Sequence, residues 1–365
     1  MQLPRIDSVQ ARAYTIPTDE PEQDGTMDWD STTLVVAEVQ AGGETGLGYT
    51  YGPSALSGLI SGKLAHVLCG RAVSDTAGAW HAMGSALRNA GRPGLGMMAV
   101  SALDVALWDA KARLLDLPLV DLLGPAHDEV PVYGSGGFTS YSLGRLAEQA
   151  EGWMHARLPR VKIKTSRHPD EDPVRLDTVR KVLGEDVELY CDANGALTRK
   201  EALYWAHRFH EEWNVRWFEE PVSSEDLEGL RLLRDRGPAR LDVAAGEYGY
   251  LLSQFRDLLV GGCVDCLQAD VTRCGGITAL LRVSGLCDAF QIDLSGHCAP
   301  AVTAHALCGA VHLRHLEYFH DHVRIERMAF DGTSDPEGGA LRPSRDRPGH
   351  GLRLKAADLE DCRVA

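Results

Sequence analysis

A chain of 365 residues with 44% apolar and 24% charged residues has the makeup of a globular protein, long enough for one large barrel or two domains. Its formal charge of −15 at pH 7, with no basic stripe, argues against a nucleic-acid partner, and it means that an anionic ligand needs a local cation to hold it. No apolar run reaches the ~18 residues of a membrane span, Met1–Arg5 opens no secretory leader, and nine scattered cysteines do not form a disulfide framework, so a cytoplasmic protein without a membrane partner is expected.

Residues 1–125 read as an α+β domain. Val9–Tyr14 and Thr33–Val39 are strand-like, the turn Ala41-Gly42-Gly43 follows, and a third strand lies near Gly48–Tyr51. Between the first two, Pro17–Thr32 is polar and acidic and reads as a solvated loop or as a lid. From Met98 to about Leu115, Leu103, Leu107, Ala110 and Leu114 recur at helical spacing, with Asp104 and Asp109 expected on the polar face.

From Val130 the pattern alternates. Strands are expected at Val130–Tyr133 and Val161–Lys164, then ending at Asp192, Glu219, Gly246, Asp270 and Gly296, with an eighth at His315–Phe319. Helices fill the intervals, one opening on the capping-box pattern Thr198-Arg199-Lys200-Glu201. No helix is evident after the eighth strand, because Asp331–Pro336 is turn-forming. The spacing predicts a barrel over 126–324 and a C-terminal segment, 325–365, that returns to the first domain with one short strand at Leu352–Leu354.

The strand ends carry the chemistry. Lys164, Asp192, Glu219, Glu247, Asp270 and His297 recur at steps of 23 to 28 residues, about one strand plus one helix of a (β/α) barrel of ~250 residues. Parallel strands point the same way, so these side chains gather at one mouth. Asp192, Glu219 and Glu247 end three successive strands. Crowded carboxylates raise one another's pKa unless a cation sits among them, and an oxygen-only donor set suits a hard ion such as Mg²⁺. Lys162 and Lys164 flank Ile163 and share a face, where paired ammonium groups are expected to depress each other's pKa and leave a base. Asp270 beside His297 would orient the imidazole as a second acid/base group. Glu317, if protonated, would hydrogen-bond a developing oxyanion. A carboxylate substrate held by the metal would then expose its α-C–H between Lys164 and His297, its enediolate stabilised by the metal and Glu317.

Position by position, these residues resemble the enolase superfamily, and specifically its mandelate racemase subgroup (mandelate racemase/muconate lactonizing enzyme-like). The resemblance covers nearly the whole chain. It implies a modified TIM barrel, (β/α)7β, with an N-terminal α+β capping domain. Lys162-Ile163-Lys164 is similar to the family's K-x-K, whose second lysine is the base. Asp192, Glu219 and Glu247 match the Mg²⁺ ligands, Asp270 and His297 the Asp–His dyad, and Glu317 the electrophilic acid. Ser101–Lys111 resembles the capping-domain helix.

What the resemblance implies is proton abstraction α to a carboxylate, the chemistry already known of enolase-type sites. The subgroup includes dehydratases of sugar acids, racemases and epimerases, and lactone cycloisomerases, and its members assemble as dimers or octamers. Pro17–Thr32 and Tyr49-Thr50-Tyr51, rich in hydroxyl-binding side chains, favour a sugar-acid dehydratase making a 2-keto-3-deoxy acid. A 2-hydroxy-acid racemase or epimerase and a sugar-acid lactone cycloisomerase are the alternatives.

Three other motifs read as structural. Cys263-Val264-Asp265-Cys266 has redox spacing but lies in a strand without a partner pair. His320-Asp321-His322 follows the eighth strand, where a barrel zinc site would use the first. Cys274-Gly275-Gly276-Ile277 is a turn into a helix.

Overall fold

The computed structural model describes residues 4–365. Runs of β-branched and aromatic residues build a three-stranded antiparallel sheet from β1 (Ile6–Gln23), β2 (Asp28–Ala41) and β3 (Glu44–Tyr51). The helix Leu95–Leu114 packs on it and is buried along most of its length. Pro17–Thr32, read as a loop or lid, is instead mostly hairpin: β1 runs to Gln23, β2 restarts at Asp28, and the register shifts between Pro17 and Glu22. A two-stranded ribbon satisfies its backbone by mutual pairing without a continuous apolar face, so hydrophobic alternation did not reveal it. The hairpin tip lies on the barrel. Thr139 N donates to Gln23 O at 2.8 Å, and a Cβ on Gly25 would stand 2.1 Å from Ala193 O.

Asp104 and Asp109 are not a polar outer face; both are fully buried. Asp104 accepts from Thr278 N (2.8 Å) and Thr278 Oγ1 (2.6 Å), at the start of the barrel helix Gly276–Phe290. Asp109 accepts from Leu47 N, His350 N and Arg113 Nε at 2.7–2.9 Å. A helix packed between a sheet and a barrel has no solvent face here, and its acids survive burial by pairing.

The barrel strands are β4 (Val130–Gly136), β5 (Arg160–Lys164), β6 (Glu188–Asp192), β7 (Val215–Glu219), β8 (Asp242–Ala245), β9 (Cys266–Ala269), β10 (Asp293–Gly296) and β11 (Leu313–Phe319). All eight are parallel, and β11 pairs with β4 to close the ring. Tyr133, Tyr190, Trp217, Ala244 and Cys266 fill the interior below the mouth, the Tyr190 and Trp217 rings stacked at 5.5 Å. Side chains therefore plug the lower barrel, and the open end is the carboxyl end of the strands.

A helix does follow the eighth strand, at His320–Ala329. Its buried side carries Asp321, His322 and Glu326 beside Val323, Ile325 and Ala329, so the charged residues masked its apolar period. Beyond it, Ala340–Leu341 pairs antiparallel with Val130–Pro131, and Phe330–Asp331 pairs with Arg353–Leu354. The chain then reaches the first sheet, where Val364 N donates to Ala13 O at 2.9 Å. Among the described residues no helix is long and apolar enough to cross a membrane.

Candidate active site

The ladder sets the register of the mouth. Lys164 pairs with Asp192 across β5–β6, and Asp192 with Glu219 across β6–β7. Glu247 lies two residues past β8. It follows Gly246, whose φ of +135° and 2.1 Å Cβ approach to Gln268 O exclude a side chain there. Asp270 and His297 each stand one residue beyond β9 and β10, and Glu317 lies within β11. All eight side chains singled out from the sequence meet at this end of the barrel.

Carboxylate oxygens of Asp192, Glu219 and Glu247 lie within 4.8 Å of one another, and all three residues are buried. Lys162 Nζ donates to Glu219 Oε1 and lies 3.1 Å from Asp192 and 2.8 Å from Glu317. Lys164 Nζ donates to Asp192 Oδ2 at 2.6 Å. Across the cluster His297 Nδ1 is 2.7 Å from Asp270 Oδ2, while Nε2 lies 3.0 Å from Glu247 and 3.3 Å from Glu317. Lys164 and His297 thus reach the carboxylates from opposite sides, each touching a different one.

The protonation pattern departs from the expected neutral lysine. Burial disfavours both ammonium groups, and Lys162 disfavours that of Lys164, but the surrounding carboxylates outweigh these terms and push both lysines above their usual range. Burial likewise opposes a charged His297, yet the acids around it raise its pKa. Glu247, Glu317 and Asp270 do this work, because burial and Glu317 push the Cys298 thiol far up and keep it neutral. Glu317 is held below the usual carboxylate range, mainly by Lys162 and His297 against burial, so in this state its proton sits on its neighbours. Burial and Asp192 push Glu219 up to about 8, the mark of acids crowded without enough positive charge.

Several partners were not singled out from the sequence. Ser135 Oγ donates to Glu317 Oε1 at 2.6 Å, and Trp217 Nε1 donates to Glu219 Oε2 at 2.9 Å. Arg273 stands 3.4 Å from Glu247 and 3.6 Å from Asp270, and Cys298 Sγ donates to Glu317 Oε2 at 3.1 Å. Strand parity marks Trp217, two residues before Glu219, and adjacency marks Cys298; Arg273 sits in a loop, where no period points to it. A cavity of about 290 Å³ opens above the cluster, lined by Lys164, His297 and Glu317 from the barrel and by Trp29 and Thr32 from the hairpin.

The other motifs remain structural. Cys263 and Cys266 are buried free thiols. His322 stacks on Tyr51 at 3.6 Å while His320 lies 2.9 Å from Asp19, so the two do not share a centre. The helix start after Cys274-Gly275 already has the Asp104 carboxylate on it.

Mg²⁺, as the resemblance implies, suits this donor set. Three buried carboxylates converge, the His297 imidazole reaches Glu247 alone of the three, at 3.0 Å, and Glu247 Oε2 is buried without a well-aligned hydrogen-bond donor.

A parallel barrel with an antiparallel capping domain and acid–base groups ringed at the strands' carboxyl ends defines a modified TIM-barrel enzyme. Residues 9–124 match the mandelate racemase / muconate lactonizing enzyme N-terminal domain, and residues 145–358 match the enolase C-terminal domain-like family. The chain belongs to the enolase superfamily, in its mandelate racemase subgroup.

It is 31% identical to a 3,6-anhydro-alpha-L-galactonate cycloisomerase of Streptomyces coelicolor, over 96% of this chain and 97% of that protein. A mandelate racemase/muconate lactonizing enzyme-like protein from Rubrobacter xylanophilus superposes with a TM-score of 0.97 at 59% identity, covering 99% of this chain and 100% of the other. The L-talarate/galactarate dehydratase of Salmonella typhimurium LT2, liganded with Mg and L-lyxarohydroxamate, superposes with a TM-score of 0.89 at 26% identity, covering 99% and 93%.

Proposed function

We propose that the protein removes the proton α to the carboxylate of a sugar acid in a Mg²⁺-dependent reaction, and that β-elimination of water then gives a 2-keto-3-deoxy acid. The observation that carries this is the placement of Lys164 and His297 on opposite sides of the Asp192–Glu219–Glu247 cluster, at 2.6 Å from Asp192 and 3.0 Å from Glu247.

Asp192, Glu219 and Glu247 would hold the ion, and when bound it neutralises the carboxylates that keep the lysines protonated and polarises the substrate carboxylate. Lys164 Nζ takes the α proton. Lys162, fixed below it, keeps positive charge beside Glu219 and Glu317. His297, its Nδ1 held by Asp270, delivers a proton from Nε2 to the departing hydroxyl. Glu317, anchored by Ser135, would hydrogen-bond the developing oxyanion in its protonated form, its proton drawn from solvent. The hairpin carrying Trp29 covers the cavity and limits water.

A second reading, cycloisomerisation, is favoured by the full-length similarity to a cycloisomerase. There the same α proton leaves, and the departing oxygen belongs to a ring. A screen of mono- and diacid sugars and their anhydro and lactone forms, with Mg²⁺ present, separates the readings. Keto product from open-chain acids supports dehydration, and keto product from cyclic acids alone supports cycloisomerisation. α-Hydrogen exchange with no keto product would replace both with epimerisation.

A further inference from the structure

Cys298 stands on the cavity wall, and the reaction above gives it no task. It is buried, directly follows His297, and lines the same cavity as His297 and Glu317. Its Sγ is 3.4 Å from His297 Nε2 and 3.1 Å from Glu317 Oε2, and those two atoms are 3.3 Å apart.

Zinc–ligand bonds of about 2.0–2.3 Å in a tetrahedron place neighbouring donor atoms about 3.3–3.6 Å apart. The sulfur, nitrogen and oxygen therefore already stand near the corners of one tetrahedral face. The imidazole is also oriented as metal-bound histidines are: Nδ1 bonds the Asp270 carboxylate at 2.7 Å and leaves Nε2 facing the other two donors, with Glu247 Oε2 3.0 Å away as the contact an ion would displace. Glu317 keeps Ser135 and Lys162 on Oε1 and turns Oε2 to the triad, so the site does not strip its other partners.

We propose that Cys298, His297 and Glu317 form a second metal site, specific for thiophilic divalent ions such as Zn²⁺ or Cd²⁺, with a cavity water as fourth ligand. It is distinct from the all-oxygen cluster of Asp192, Glu219 and Glu247, whose donors favour hard ions. Binding displaces the protons on Sγ and Nε2 to the buffer as the metal–sulfur and metal–nitrogen bonds form. An ion held there occupies the lone pair that His297 needs for proton transfer, so it shuts down turnover. That inhibitory consequence rests on the proposed reaction, whereas the site itself does not.

The test is a Cd²⁺ titration of the full chain saturated with Mg²⁺, without substrate, read by the thiolate-to-cadmium charge-transfer absorbance. Cys69, which is exposed, and Cys362, which is part-buried, are first changed to Ser to remove competing thiols. One equivalent should bind, and the band should vanish on adding Cys298→Ser. Asp270→Asn, which removes the imidazole's orienting partner, should weaken binding roughly 10–100-fold. His297→Asn retains the thiol and should weaken it at least as much.

Absence of the band from the folded parent protein would overturn the proposal. So would its persistence in Cys298→Ser, or unchanged affinity in His297→Asn. Because the readout needs no substrate, a failed deuterium-exchange assay would count against the reaction and leave this site standing.

Discussion

At the seam between the capping domain and the barrel, Asp104 and Asp109 are as buried as Asp192 and Glu219 at the barrel mouth, yet their surroundings differ. The seam acids accept from backbone N–H groups, a hydroxyl and one guanidinium, and each stands apart from other carboxylates. The mouth acids crowd within 4.8 Å of one another and are partnered by Lys162, Lys164 and His297, groups whose protons can move. Burial therefore does not tell structure from chemistry. The kind of partner does: fixed donors make a brace, and titratable donors beside crowded acids make a site for a cation and a proton.

The comparison breaks most visibly at the bases. Lys164→Ala and His297→Asn should each lower turnover by ~10²–10⁴-fold, the usual worth of general acid–base catalysis, in steady-state assays on the active sugar acid. Glu219→Gln should weaken Mg²⁺ binding by more than about 10-fold, since loss of an outer-shell partner alone has that effect. Calorimetry showing unaltered affinity would remove Glu219 from the ligand set.

At the seam the expected effects are on stability. Asp109→Asn leaves one terminal atom unable to accept, so at least one of Leu47 N, His350 N and Arg113 Nε loses its partner. The cost should be about 1–3 kcal/mol in a denaturant titration, with the metal affinity retained. The smallest effect belongs to Asp104, whose carboxyl is pushed by burial, against the Thr278 hydrogen bonds, from 3.8 up to about 7. A carboxyl with a raised folded pKa binds a proton in the folded chain after the unfolded chain has lost it. Its contribution to stability therefore falls as pH rises from about 4 to about 7. Asp104→Asn should flatten that part of the stability–pH profile, and a profile of unchanged slope would assign the slope elsewhere.

Most of the ring was legible because each residue is the first charged side chain after a short apolar run, and a barrel repeats that unit at nearly constant length. Asp192 and Glu219 needed only strand parity and spacing. Asp104 was misplaced because helix periodicity assumes a solvent face, and this helix has a barrel there. The helix after β11 stayed hidden because its inward side mixes Asp321 and Glu326 with Val323 and Ile325. The charge state of the lysines was out of reach for another reason. Two neighbouring ammonium groups suggest mutual depression, but the acids that reverse it come from other strands, and their distances appear only in the folded ring.

The central claim is that Lys164 takes the α proton while His297, on the other side of the cluster, delivers a proton to the leaving group. α-Deuterium exchange in D₂O, read beside product formation, tests it most directly. With Mg²⁺ and an active sugar acid, the parent chain should wash deuterium into the α position of recovered substrate as keto product forms. Lys164→Ala should abolish both, and His297→Asn should lose product by ~10²–10⁴-fold while retaining exchange. Exchange that persists unchanged in Lys164→Ala would contradict the account.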